Sequence, residues 1–380
     1  MFCKGAACGY LGCQLIPNHY LLTKSRSLNP SPFRWIVFKV ASKSPIINYQ
    51  LSTINYQLIY SMAIPPSWIV KTGRSIWTQI WQLMMSQLAP PNDRGEYQRP
   101  QSEFRNRIDG IYAPEPNRYR LYVGWSCPWA HRTLVVRALK GLESSIEIVL
   151  VQGDANAGGW TLPKPEHGCN TLAQLYRFGK LGYTGRSTVP MLWDTQTYSI
   201  VNNESAEIIE ILNSDFNNSA SHPELDLAPI ALQDSIEQWN ELVYKTVNNG
   251  VYLCGFAQTQ VAYDNAHVEL FATLDRIEDL LATQDYLCGN LLTLADIRLF
   301  TTLIRFDLVY HHLFKCNRRR IRDYPQLQAY ICKIYHMPGV AATCNFPTIL
   351  QDYYGNLFPL NPGGIIPQLP DMSYLMIVDK

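Results

Sequence analysis

The sequence predicts an α/β half followed by an all-α half. Three stretches carry that expectation: a strand–helix–strand pattern over 118–151, a strand hairpin running into a helix over 188–213, and a helical pattern from about residue 228 onward. At 380 residues the chain exceeds what a single core usually serves, so two or three domains are expected. Apolar residues make up 47% and charged residues 17%, enough to build those cores and too apolar for wholesale disorder.

The first 61 residues show no sustained period. INYQLSTINYQL (47–58) repeats every seven residues, but two copies are too few for a coiled coil, and Pro30, Pro32 and Pro45 stand upstream. Met62 opens MAIPPSWIVKTGRSIWTQIWQLMMSQLAP, whose Ile, Trp and Leu spacing predicts a helix. Residues 1–61 are therefore expected to be a non-native or disordered extension, with Met62 as the natural start; a targeting extension is the rival reading.

RYRLYVGW (118–125) alternates and is rich in Tyr and Val, which predicts a strand. After Pro128, Leu134, Val135, Ala138, Leu139 and Leu142 form a helical stripe, and Gly141 marks its end. IEIVLV (146–151) then reads as a buried strand. The unit is β-α-β, with Cys127 at the entrance of the helix. Pro128 suits the first helical turn, where a missing N–H costs nothing. Unpaired N–H groups and the helix dipole at such an entrance favour negative charge, and the thiolate is the nucleophilic form of cysteine. Ala130 stands where a CxxC motif would put a second cysteine. A single thiol here exchanges only with a partner thiol, and the abundant cellular candidate is glutathione. A buried structural cysteine is the bland alternative.

TVPMLWD (188–194), a turn at 194–197 and YSIV (198–201) predict an antiparallel hairpin. Proline permits a cis Val189–Pro190 bond, which would expose the Val189 backbone to a peptide-like ligand. In NNESAEIIEILN, Asn203 is the expected cap, and Ile208, Ile209 and Leu212 give the buried face. Glu204 and Ser205 then lie at a helix N-terminus, where an anion site and plain capping are both open readings. These features describe a thioredoxin-like domain. Further on, ALQDSIEQWNELVYKTV and VELFATLDRIEDLLAT carry helical stripes, and Thr293 with Asp296 reads as a capping box before another apolar helix.

Composition excludes several classes. The net charge is +1, and the one basic cluster, Arg318 to Arg320 with Arg322, reads as a solvated helix end or structural ion pairs, so no nucleic-acid partner is expected. No apolar run reaches the ~20 residues of a membrane span, and no secretory signal is visible. A cytoplasmic protein without a membrane partner is the expectation. The ten cysteines are scattered, with no CxxC and no zinc spacing, which predicts buried thiols and no metal.

With Cys127, Val189-Pro190 and Glu204-Ser205 in this order, the chain resembles the glutathione transferases. SCPWAHRT, GYTGRSTVPMLWD, NNESAEII, NNGVYLCGFAQTQVAYD, LADIRLFTTLIRFDLVYHHLFKCN and MPGVAATCNF are similar to one branch, the glutathionyl-hydroquinone reductases or Xi class. The resemblance runs from about Met62 to the C-terminus. It implies a thioredoxin-like glutathione-binding domain with an N-terminal helical extension (62–215), an all-helical C-terminal domain (228–345) and an extended tail (346–380). It implies a homodimer, with glutathione as co-substrate and glutathionylated hydroquinones as substrates. Cys127 would attack the glutathione sulfur of the conjugate, hydroquinone would leave, and a second glutathione would release glutathione disulfide. Trp160, the Val189 backbone, Glu204 and Ser205 would hold glutathione; Tyr252 and Tyr353 would face the aromatic substrate. Tyr354 leaves the tail register open by one; Tyr310 and His312 are further candidates to line the cleft, a reading ranked below core packing. The segment from Trp160 to Gly182 is shorter than in many relatives, so an arginine assisting glutathione is not placed. The tail also lacks a Ser-His pair expected after the tyrosines. The rival readings are an omega-like thiol transferase or dehydroascorbate reductase, and a non-enzymatic ligand-binding protein with an unreactive Cys127.

Overall fold

The structure, a computed structural model, describes residues 66–98, 101–154 and 157–376. The expectations about residues 1–61 and about Met62 lie outside the described residues. The helix expected after Met62 is α1 (Ser67–Leu88); among the described residues its end docks on the core, through Trp81, Met85 and Ala89.

A four-stranded sheet forms the centre of the first half. Strand β1 (Tyr119–Val123) pairs in parallel with β2 (Ile146–Leu150), Tyr119 opposite Ile146. The crossover between them is α2 (Pro128–Leu139). Gly141 follows it at φ +63°, a left-handed position that suits glycine. Next in the chain come three short strands, β3 (Gln152–Asp154), β4 (Gly159–Glu166) and β5 (Cys169–Thr171), which form a separate antiparallel sheet, then α3 (Leu172–Gly179). The predicted hairpin is β6 (Met191–Asp194) and β7 (Ser199–Asn202), leading into α4 (Ser205–Ser214). The order β2-β1-β6-β7, parallel then antiparallel, is the thioredoxin-like arrangement. Arg118 and Asp194 form a buried two-bonded ion pair, with Nε and Nη2 donating at 2.9 and 2.7 Å, that ties the start of β1 to the end of β6.

One local expectation is corrected. Asn203 does not cap α4; Glu204 does, its side chain accepting from Ala206 N–H at 3.1 Å. The Asn203 amide is committed elsewhere, accepting from Phe104 N–H and donating to the Tyr176 hydroxyl.

The second half is helical: α5 (Gln233–Val243), α6 (Gly250–Phe256), α7 (Gln260–Leu281), α8 (Leu294–Arg305), α9 (Pro325–Tyr335) and α10 (Phe346–Asn356). The Thr293–Asp296 capping box is formed, with the buried Asp296 carboxylate accepting from Thr293 N–H and hydroxyl at 2.8 and 2.7 Å. The basic cluster is structural: Arg318 pairs with Asp275, Arg320 with Asp323, and Arg319 lies over the Tyr324 ring. The segment expected as an extended tail opens instead with α10, because Asn345 caps it at Thr348 N–H and Pro347 suits its first turn. Helix α2 packs against α4 on one side and α8 on the other, so it is buried nearly all round, including His131, Arg132 and Thr133. Its N-terminus, with Cys127, therefore opens where the two halves meet.

Candidate active site

Cys127 is the N-cap residue of α2, in extended conformation, with Pro128 at the first helical position. Its backbone N–H donates to Gly124 C=O at 3.1 Å, and its thiol donates to Val189 C=O at 3.5 Å. The Val189–Pro190 bond is cis. The thiol is half-buried on the wall of a cavity of about 880 Å³.

That cavity brings together Cys127, Trp160, Val189, Tyr252 and Tyr353. Its lining includes polar side chains, among them Ser102, Glu103, Arg177, Arg186 and Ser187, and aromatic ones, Tyr97, Trp129, Tyr252, Phe256 and Tyr353. Trp160 sits on β4, paired with Gly153 of β3, and its ring lies so close to Gly124 that a Cβ there would fall 2.3 Å from it. The glycine two residues before Ser126 thus lets the indole lie against the cysteine loop.

The two tyrosines meet. Tyr252 of α6 and Tyr353 of α10 hydrogen-bond hydroxyl to hydroxyl at 2.6 Å, and Tyr353 bonds in turn to Tyr310 at 3.1 Å. Burial pushes all three phenols above their ordinary range, so each keeps its proton at neutral pH. Tyr310 is fully buried and His312 is exposed; neither lines the cavity. Tyr354 hydrogen-bonds Leu308 C=O instead, which puts the cavity-facing register at Tyr353.

Glu204 and Ser205 are not on that wall. Glu204 bounds an adjoining cavity of about 400 Å³, which shares Gln101 and Ser102 with the first and also holds Arg105, Arg132 and Arg298. The Glu204 carboxylate caps α4 and accepts from the Ser102 hydroxyl at 2.9 Å; Ser205 is 1% exposed and accepts from Arg132 at 3.3 Å.

Four side chains at the site were not found from the sequence. Arg305 of α8 is fully buried and donates to Ser126 C=O at 3.1 Å and Trp125 C=O at 2.8 Å, holding the turn just before Cys127. Its Nη1 also donates to His131 Nδ1 at 2.7 Å. Burial, with the Arg305 charge, pushes His131 well below its ordinary value, so the neutral ring accepts at Nδ1 and donates from Nε2 to the Thr343 hydroxyl at 2.8 Å. Asp352 accepts from the Ser126 hydroxyl at 2.6 Å, and burial pushes its carboxyl up against the lowering effect of that bond. Arg186 lines the cavity; it lies in GYTGRSTVPMLWD, a stretch that carries the family resemblance, and no pattern in the sequence singled out its guanidinium. Among the described residues there is no disulfide, and no group of three or more His, Cys, Asp or Glu side chains is arranged to hold a metal ion.

Known proteins are similar to this chain in sequence and fold. The N-terminal domain model of the glutathione S-transferases matches residues 126–215, and the C-terminal domain model matches residues 260–331. The glutathionyl-hydroquinone reductase PcpF of Sphingobium chlorophenolicum is 43% identical over 302 residues, covering 78% of this chain and 94% of its own. The solved glutathione-S-transferase Xi of Phanerochaete chrysosporium matches at a TM-score of 0.71 and 45% identity, over 74% of this chain and 95% of that one. The glutathione-bound structure of YqjG from Escherichia coli K-12 matches at a TM-score of 0.65 and 46% identity, over 68% and 87%. A thioredoxin-like half, a helical half and near-complete coverage of these relatives mean that this chain belongs to the glutathione S-transferase family, within its Xi class.

Proposed function

We propose that this protein is a glutathionyl-hydroquinone reductase, as its relative PcpF is named. The observation that carries the reading is one cavity with a helix-entrance thiol on one wall and a hydrogen-bonded pair of protonated phenols on another. The thiol suits attack on sulfur, and the phenols suit a hydroxylated aromatic ring.

The Cys127 thiolate attacks the glutathione sulfur of the conjugate. The carbon–sulfur bond breaks, its electron pair goes to the ring carbon, and that carbon takes a proton as hydroquinone leaves. A mixed disulfide remains on Cys127. The thiolate of a second glutathione attacks it, giving glutathione disulfide and free Cys127. Conjugate and glutathione thus become hydroquinone and glutathione disulfide, and no second protein cysteine is needed. Tyr252 and Tyr353 hydrogen-bond the ring hydroxyls and offer a proton at the reacting end. Trp160 packs on the glutathione moiety and the Val189 backbone pairs with its cysteinyl part. Glu204 and Ser205 hold the γ-glutamyl end from the adjoining cavity. Arg186 and Arg177 supply the positive charge for the glycyl carboxylate. The protein works as a homodimer in a reducing compartment.

Comparing two reactions of Tyr252→Phe tests the reading. Turnover of glutathionyl-menadiol should fall at least tenfold, a floor below the roughly 10²–10⁴-fold that acid–base assistance typically contributes. Exchange with a small glutathione mixed disulfide should hold within about twofold, because its leaving thiolate needs no ring contact. Equal losses, or a wild type active only on the disulfide, would favour the omega-like thiol-transferase reading.

A further inference from the structure

Helix α1 is about 33 Å long at its 22 residues, and among the described residues only its end has protein cover. Met85 and Ala89 are fully buried and Trp81 packs on the core, while every residue from Ser67 to Ile80 is exposed. At ~100° per residue, Ile69, Val70, Ile76, Trp77, Ile80 and Leu83 fall within one arc of roughly 140°. Leu83 is 63% exposed and Ile76 53%. The opposite side carries Lys71, Ser75, Thr78, Gln79 and Gln82, with Trp68, at 67%, as its one large exposed apolar residue. Lys71 and Arg74 are the only charges on α1.

Among the described residues no helix is long and apolar enough to cross a membrane. A helix lying on a membrane is a different physical case, requiring a wide apolar face, a polar face with basic residues and aromatic side chains between them. We propose that α1 is a peripheral anchor that lies in the surface of an anionic lipid membrane, apolar arc inward. The width of the arc favours a flat apolar medium over a second copy of α1, since a paired helix covers only a narrow seam. Charge favours it too. A second α1 brings the same two cations and no acid, whereas anionic headgroups complement Lys71 and Arg74. Arg74 falls at the edge of the arc, where a long side chain keeps its stem in the apolar layer and its guanidinium among phosphates. Trp77 is the residue type enriched at that depth.

Co-flotation of the full chain with phosphatidylcholine–phosphatidylserine vesicles tests this. Wild type is expected to float with them, and less with phosphatidylcholine alone. Ile76→Asp/Ile80→Asp should lower the partition coefficient at least about a hundredfold, the factor expected from withdrawing two isoleucine side chains from an apolar medium. Both positions are exposed, so its turnover of glutathionyl-menadiol should match wild type. Lys71→Glu/Arg74→Glu should remove the preference for phosphatidylserine. Wild type that does not float overturns the proposal, as does floating that survives the aspartates. A wild type that stays off vesicles while the aspartates lower its mass by light scattering would overturn it in favour of a second copy.

Discussion

Replacing Arg305 with methionine should loosen the turn that presents Cys127. The guanidinium is fully buried and donates to Ser126 C=O at 3.1 Å and Trp125 C=O at 2.8 Å, the two carbonyls just before the nucleophile. Hydrogen bonds to a charged group contribute about 1.5–3 kcal/mol each, so these two are together about 3–6 kcal/mol. Relief of the desolvated cation offsets part of that. A net loss of about 2–3 kcal/mol in urea unfolding is expected. Stability alone does not separate a positioning residue from a packing residue, so the rate of Cys127 alkylation by iodoacetamide, under fully folded conditions, is the second readout. It should change at least about threefold, a modest factor for a nucleophile whose loop is free to shift, with a matching drop in kcat for glutathionyl-menadiol. Arg305→Lys keeps the charge but loses the fork that spans both carbonyls, and should recover the activity only in part. A stability loss below about 1 kcal/mol, the size of an ordinary surface change, together with an unchanged alkylation rate would refute the reasoning.

Three further outcomes follow from the geometry. Gly124→Ala puts a Cβ 2.3 Å from the Trp160 ring, so the indole must leave its place; KM for glutathione should rise more than kcat falls in steady-state kinetics. Tyr353→Phe and Tyr252→Phe remove two ends of one 2.6 Å hydrogen bond, so the double variant should lose little more kcat than the worse single one, which a double-mutant cycle measures. Asp352 has its pKa raised in the folded state, mainly by burial, so the stability it contributes is present below the unfolded value of ~3.9 and lost as pH rises through the folded value. Asp352→Asn should therefore be the more stable protein at pH 7, with the difference closing as urea titrations are repeated toward pH 3.

What could be read from the sequence was local. The strand, Cys127, Pro128 and the helical stripe after them share one short stretch, and periodicity with a proline at the first turn suffices to order them. The hairpin and the Thr293–Asp296 box were legible for the same reason. The stripe on α2 understated its burial, because α8, far along the chain, covers the face that looked polar. Arg305 reaches Trp125 across 180 positions and Asp352 reaches Ser126 across 226, and no spacing rule connects residues so distant. Strands β3 to β5 were missed because two have three residues each, too few for alternation to show. The choice of cap at Asn203 failed by one residue, since both Asn203 and Glu204 have side chains able to accept from a helix N-terminus, and tertiary bonds to Phe104 and Tyr176 decided it.

The most direct test of the central claim is intact mass measurement of wild type and Cys127→Ala after mixing with glutathionyl-menadiol and no free glutathione. The wild type should gain one glutathione as a disulfide on Cys127 while releasing one equivalent of menadiol, and added glutathione should clear the adduct as glutathione disulfide. The alanine variant should show neither adduct nor menadiol. Menadiol released by Cys127→Ala at the wild-type rate, or by wild type without passing through the adduct, would contradict the exchange mechanism.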